Sequence, residues 1–259
     1  MRQRLPSLAL VAAILVAWEA YVRLAAVDAV VLPGPVRILE ALWQFRGDAL
    51  RHLLPTMLET VIGFGIAVVL AVASAVAMDR TPAVRRAVEP ILVTSQTIPV
   101  VALAPLLLLW FGFGLAPKVV IVVLVTFFPI VVALLDGFRS VPQEAEDLLR
   151  SYGAADGQVF RTLRWPAALP SFFVGLRISV VYAVIGAVFG EYVGAREGLG
   201  IWMQLSQNAF RTDLVFAAVV ITSALSLLLY ALVGVVRRVV IPWAPGVRRE
   251  AAVEDRPFS

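Results

Sequence analysis

Six stretches of apolar sequence, each close to the length of a bilayer crossing, constrain this chain more than any other feature. They lie near residues 8–22, 55–78, 89–111, 119–136, 167–190 and 214–236. A helix needs about 20 apolar residues to cross roughly 30 Å of hydrocarbon. The backbone must satisfy its own polar groups there, which helices do within a single segment. The composition agrees, with 61% hydrophobic and 15% charged residues against about 45–50% and about 25% in soluble domains. The expected fold class is an all-α membrane protein with about six transmembrane helices, forming a single transmembrane domain over residues 1–259 and multi-pass in the cell membrane. The first run is the shortest. Arg2 and Arg4 before it and Leu24-Ala25-Ala26 near its end leave a signal peptide open as the alternative, whereas Trp18, Glu19 and Tyr21 fit the end of a retained helix with interfacial aromatics. Pro33-Gly34-Pro35 then breaks the chain, and residues 36–51 read as a short mixed-polarity segment.

Orientation follows from the basic residues. With the N-terminus in the cytoplasm, fourteen fall inside: Arg2, Arg4, Arg80, Arg85, Arg86, Arg139, Arg150, Arg161, Arg164, Arg237, Arg238, Arg248, Arg249 and Arg256. Seven fall outside: Arg23, Arg37, Arg46, Arg51, Lys118, Arg196 and Arg211. Arg177 lies within the fifth span. Both termini are therefore expected to be cytoplasmic. The net charge of +4 belongs to cytoplasmic loops of this kind, and no nucleic-acid partner is expected.

Several chemistries are excluded. The chain has no cysteine, hence no disulfide and no thiolate ligand. The lone His52 reads as an interfacial residue. The one lysine, Lys118, is followed by Val119, so the chain lacks a phosphate-cradling loop ending in Lys-Ser or Lys-Thr. No His, Asp and Glu cluster suggests a metal site or acid–base catalysis. The expectation is a protein that is not an enzyme, with no catalytic residues, metal or cofactor.

The stretch LLRSYGAADGQVFRTLRWPAALP (148–170) is charged and amphipathic between apolar neighbours. Residues 140–165 predict two short helices and a corner. Ser140-Val141-Pro142-Gln143 has the form of a capping box, and Glu146 and Arg150 are spaced to pair on an exposed face. Ala145, Leu148, Leu149 and Tyr152 fall on the other face. Gly153 suits the left-handed residue that closes a helix, and Asp156 is placed to cap the next. Val159, Phe160 and Leu163 form an apolar face with Arg161 and Arg164 pointing away, and Trp165-Pro166 is expected to end this helix. A helix of about 8 residues is too short to stand alone in water. Its partner is either its own membrane domain, the bilayer headgroups or a second protein.

Within the spans, Ser95, Gln96, Thr97 and Pro99 interrupt the third run, where Pro99 invites a kink. The segment fits either a translocation path or helix–helix packing. Arg177 reads as a structural or snorkelling residue or as an electropositive point on a solute's route. Glu191 with Gly194, Gly198 and Gly200 marks an expected external loop, either a plain turn or a contact for a binding protein.

Asp147-Leu148-Leu149, Gly153 and Leu163-Arg164-Trp165-Pro166 match in spacing the loop Glu-Ala-Ala, three residues, Gly, nine residues, Ile-x-Leu-Pro. In that loop the chain resembles the permease subunits of ATP-binding cassette importers. It departs in Asp for Glu, Leu-Leu for Ala-Ala and Trp for the second apolar residue. SQTIPVVALAPLLLLWFGFG (95–114), GLRIS (175–179) and GEYVGAREGLG (190–200) are similar to the sulfonate, taurine and nitrate branch, a pattern that permeases for pyrimidine-type vitamin precursors share. The resemblance implies a type I importer permease fold and makes 140–166 a cytoplasmic coupling loop. Asp147, Gly153, Ala154, Asp156, Val159, Phe160, Arg161, Leu163 and Pro166 would then meet an ATPase. Val159, Phe160 and Leu163 would supply the buried contact, with Asp156 and Arg161 at the rim. The implied partners are two copies of a cytoplasmic ATP-binding subunit, a second permease copy (a homodimer or a close relative), an extracytoplasmic solute-binding protein and the lipid bilayer. The implied cargo is a small anion such as a sulfonate, taurine or nitrate, or alternatively a pyrimidine or thiamine precursor. An ion-coupled secondary transporter is the rival of another class, but it would show paired broken helices, and only one such segment is present.

Overall fold

The computed structural model describes residues 5–244, without the side chains of Leu5, Ser7, Leu8, Pro82, Val93, Ser95 and Val101. Arg2, Arg4, Arg248, Arg249 and Arg256, used above for orientation, lie outside the described residues. Every regular element among the described residues is helical: α1 (Leu5–Leu24), α2 (Pro35–Gln44), α3 (Arg46–Arg80), α4 (Pro82–Ser95), α5 (Val100–Phe111), α6 (Leu115–Arg139), α7 (Gln143–Ser151), α8 (Asp156–Val159), α9 (Trp165–Gly194), α10 (Leu199–Asn208) and α11 (Thr212–Val240). A π-helical turn, Phe160–Arg164, joins α8 to α9.

Among the described residues, four continuous runs are long and apolar enough to cross a membrane: Arg46–Arg80, Leu115–Arg139, Asp156–Gly194 and Thr212–Val240. The second predicted span begins earlier than expected, at Arg46, and carries Pro55 inside it. The third predicted span is divided. Pro99 cannot donate to a helical ladder and biases Ile98 away from the α region, so the chain opens over Gln96–Pro99 into α4 and the shorter apolar α5. What was expected as a kink is a full interruption.

The loop expectations need three corrections. α7 starts at Gln143 behind Pro142, and Ser140 Oγ donates to the Gly137 carbonyl at 2.8 Å instead of capping it. Ala155, not Asp156, precedes α8, and its N–H is met by Gln158 Oε1 at 2.9 Å. Trp165-Pro166 does not end the helix. Pro166 has no N–H and its ring would strike the carbonyl one turn back. The π turn absorbs this, with Trp165 N–H reaching the Phe160 carbonyl five residues back in the manner of a π-bulge.

The chain forms two compact units. One comprises Met1–Gly63, Val100–Val122 and Ala183–Ser226. Ile38, Ala41, Leu199, Trp202, Met203, Leu214 and Ala217 form one of its apolar clusters, and Ala104, Leu107 and Ile121 another. The second unit comprises Phe64–Pro99, Val123–Tyr182 and Leu227–Ser259, built around Met78, Ile130, Leu134, Phe138, Phe173 and Leu176. Val69, Leu227 and Val239 point outward, as expected where lipid is the solvent. Small residues set the close helix contacts, a membrane packing habit. A Cβ on Gly137 would lie 2.8 Å from Ala168 Cα, and one on Gly175 would lie 2.7 Å from Ala133 Cβ. Gly137→Val is expected to destabilise the second unit by about 1–3 kcal/mol through overpacking, read as an earlier unfolding transition of the purified chain in detergent.

Candidate functional site

In the second unit, residues 143–166 build a stiff corner. After α7, Gly153 takes φ +82°. Its N–H bonds the Arg150 carbonyl at 2.9 Å while the Ala154 N–H bonds the Leu149 carbonyl at 3.1 Å. This pair of bonds is the Schellman closure of a helix, as the glycine predicted. Val159 is buried, and Phe160 packs on Phe138 and Trp165 at 5.6 and 6.1 Å between ring centroids. The Arg80 guanidinium lies 4.8 Å over the Phe160 ring. The apolar face that the sequence offered to a partner is thus largely occupied by this unit's own core, with Leu163 half-buried.

Arg164 ties the corner down. It reaches Asp79 Oδ1 at 2.6 Å and Glu146 Oε1 at 3.4 Å, so Glu146 is not paired with Arg150 as expected. Arg150 instead meets Asp156 at 3.1 Å. A cavity of about 410 Å³ lies among Asp79, Arg80, Glu146, Arg150, Asp156 and Arg164. The surface of the loop is made by Asp147, Leu148, Tyr152, Gly153, Asp156 and Arg161, with Ala154 and Pro166 half-buried. Leu148 and Tyr152 are 57% and 82% exposed. Residues on the α7 side, and not Val159 or Phe160, form the outward apolar face.

Among the path candidates, Gln96, Thr97 and Pro99 are exposed at the break, where Thr97 Oγ1 donates to the Thr94 carbonyl at 2.8 Å. The Ser95 side chain lies outside the described part. Arg177 is half-buried, 5.1 Å over the Tyr230 ring and against Gly234, where a Cβ would lie 2.6 Å from Nη2. Among the described residues its Nε has no hydrogen-bond partner.

The first unit holds a buried polar centre that sequence reasoning missed. Glu191 was expected in an external loop. It lies in α9, is fully buried, accepts a 2.5 Å hydrogen bond from Thr56 Oγ1 and receives the Gly200 N–H at 2.6 Å. Thr56 Oγ1 also accepts the Leu199 N–H at 2.9 Å, and His52 Nδ1 accepts the Gly198 N–H at 3.1 Å. Three consecutive N–H groups at the start of α10, orphans in any helix, are thereby met by side chains of α3 and α9. The glycines follow from this arrangement. A Cβ on Gly198, whose φ is +135°, would collide with the Glu191 carboxyl, and one on Gly200 with the Val188 carbonyl and Glu191 Cβ. His52 also stacks on Trp202 at 5.9 Å, with ring planes 4° apart, so it is a structural residue of this centre. Beside it, Lys118 of α6 pairs with Glu59 of α3 at 2.5 Å, both buried. Arg51 holds Glu197 at 2.6 Å in the loop after α9, and that hydrogen bond keeps the Glu197 carboxyl below the usual carboxylate range. The missed signal was a polar stripe inside an apolar run: Thr56, Glu59 and Thr60 recur at helical spacing, and an ionisable residue at that depth is functional or paired by default.

Comparison with known proteins decides what these features belong to. Residues 63–242 match the family described as binding-protein-dependent transport system inner membrane component. The chain belongs to this family. It is a multi-pass membrane permease subunit of an ABC importer and not an enzyme. Members of the family work with an ATPase and a substrate-binding protein. The chain is 39% identical to the formylaminopyrimidine transport permease protein ThiX of Halalkalibacterium halodurans, covering 89% of this chain and 92% of that one. It is 36% identical to the riboflavin transport system permease protein RibX of Chloroflexus aurantiacus, over 89% and 87%. With the taurine transport system permease protein TauC of Escherichia coli it shares 29% identity, over 93% and 90%. A chain of the inward-facing MetNI methionine ABC transporter superposes with a TM-score of 0.61 at 21% identity, covering 77% of this chain and 97% of that one, a likeness of fold.

Thr56→Val should leave Glu191 and the Leu199 N–H without their shared partner, costing about 1–3 kcal/mol, whereas Thr56→Ser should be near neutral. Denaturant unfolding of the purified permease reads the difference.

Proposed function

We propose that this permease crosses the membrane six times, through α1, α3, the divided α4–α5 pair, α6, the α8–α9 run and α11, with both termini in the cytoplasm. It forms the solute pathway by alternating access as a dimer, each copy seated on one ATP-binding subunit, while an extracytoplasmic binding protein delivers cargo. Residues 140–166 are the cytoplasmic coupling loop. The observation that carries this reading is the outward pair Leu148 and Tyr152 on a loop held rigid by the Gly153 closure and Arg164. Apolar anchors on a preorganised short helix suit insertion into a groove. Asp147, Asp156 and Arg161 surround them and would set orientation at the rim. Val159 and Phe160 support the loop from behind. Ser95, Gln96, Thr97, Pro99 and Arg177 remain candidates for the path.

The cargo is a small organic or inorganic solute of one of two kinds: sulfonate, taurine or nitrate, or a nitrogen heterocycle of the pyrimidine type. The higher identity to the formylaminopyrimidine and riboflavin permeases than to the taurine one supports the heterocycle. Thermal shift of the binding protein encoded beside this permease, against taurine, nitrate and an aminopyrimidine, separates the two.

Replacing both Leu148 and Tyr152 with Asp should abolish co-purification of the ATP-binding subunit while membrane insertion and the unfolding midpoint hold. Phe160→Asp should instead lower the unfolding midpoint, because it buries a charge among Phe138 and Trp165. Undiminished ATPase recovery with the double variant defeats the docking assignment.

A further inference from the structure

Residues 36–51, mixed in polarity, fold as most of α2 and the first turns of α3, and none of the functions proposed above uses α2. At about 100° per residue, α2 divides into three sectors. Ile38 and Ala41 turn inward and are buried in the cluster of Trp202, Met203 and Leu214. Arg37, Glu40 and Gln44 make an exposed polar sector. Val36, Leu39 and Trp43 make the third sector, which is apolar and yet exposed, Leu39 at 64% and Trp43 at 73%. A helix on the surface of a soluble domain needs only an inner apolar face and an outer polar one. Nor can α2 roll to hide the third sector, because that would expose Ile38 and Ala41. Its start is also pinned to α1. Glu19 Oε2 accepts the Val36 N–H at 3.1 Å, and a Cβ on Gly34 would lie 2.6 Å from the same oxygen.

The apolar sector runs on into a surface that lipid covers. Only Phe45 separates α2 from α3, and exposed Leu50, Leu54, Met57 and Val61 recur along α3 at helical spacing. α3 is long and apolar enough to span a membrane, where such a stripe meets acyl chains. Between the two stripes stands Arg46. Its guanidinium lies 4.8 Å over the Trp43 ring, and Nη1 donates to the Trp43 carbonyl at 3.1 Å. Trp at the headgroup level and Arg reaching for the polar layer are habits of membrane interfaces. We propose that α2 is an interfacial anchor lying along the phospholipid surface. Val36, Leu39 and Trp43 sink toward the acyl chains, Arg46 sits at the lipid phosphates, and Arg37, Glu40 and Gln44 face water. A docked protein would have no need of an apolar and a polar sector side by side. The bilayer surface supplies oil and water along the two flanks of one short helix, as interfacial helices require, and it continues down α3. This placement needs only that α3 spans the membrane; it holds for any cargo and for either leaflet.

The chain has no cysteine, so a nitroxide can be attached at one site at a time. Val36→Cys, Leu39→Cys, Glu40→Cys and Gln44→Cys are each labelled in the full chain and placed in nanodiscs of phosphatidylcholine and phosphatidylglycerol. Collisions with membrane-soluble oxygen are then compared with those of a water-soluble nickel chelate. The oxygen-to-nickel ratio is expected to be at least threefold higher at positions 36 and 39 than at positions 40 and 44. The fluorescence that Trp43→Phe removes should likewise be quenched by phospholipid brominated in the upper acyl chain. All four labelled side chains are exposed, and if one variant fails to fold, the other site in its sector gives the same reading. Equal ratios in the two sectors, with nickel reaching positions 36 and 39 freely, put α2 clear of the bilayer and overturn the anchor. Exclusion of both reagents at positions 36 and 39, with Trp43 unquenched, means that protein covers this face, and it overturns the anchor too. Nanodiscs loaded with one chain or with two then show whether that protein is a second copy.

Discussion

In apolar surroundings a polar group that finds no partner within the protein finds none at all, and each such failure costs several kcal/mol. That constraint organises the first unit. The start of α10 carries N–H groups that its own helix cannot satisfy, and Glu191, Thr56 and His52 supply the acceptors from α3 and α9. Once Glu191 is committed there, Gly198 must lack a side chain because the carboxyl fills the space where a Cβ would stand, while at Gly200 the Val188 carbonyl and Glu191 Cβ fill it. The acidic side chain and the glycines beside it are one solution to one accounting problem.

The second unit answers a different demand. A short amphipathic loop cannot hold its shape by local hydrogen bonds alone. Here the shape comes from burying the side of the loop that the helical periodicity presents as free. Val159 and Phe160 go into the core, Arg80 covers the Phe160 ring, and Arg164 joins Asp79 to Glu146 across the base. The π turn lets the loop feed directly into α9 despite Pro166. Leu148 and Tyr152 therefore stand exposed on an element continuous with its support.

Much of this was legible in the residues. Apolar runs of bilayer length announced the helices, the spacing from Gly153 to Pro166 announced the loop and its family, and Pro99 announced a discontinuity in the third run. Gly153 was read correctly because only a few residues tolerate a left-handed φ. Ser140 and Asp156 were misread as caps because side-chain type marks a capable residue without saying which backbone N–H is left open. Trp165-Pro166 was misread as an end because a π turn, which no local pattern specifies, can carry a helix past a proline.

The sequence by itself determined a helical membrane protein without an ATP-hydrolysing loop, because hydrophobic length and missing residue types are properties of the linear chain; that it is a permease came from its resemblance to a family. Only the tertiary structure decided which charges meet. Glu59 and Lys118 are separated by 59 positions, and Thr56 and Glu191 by 135; such pairings depend on which helices pack together and in what register. A buried carboxylate, a loop acid and an interfacial acid look the same in a sequence. They differ in what stands within about 3 Å of them, and folding alone sets that.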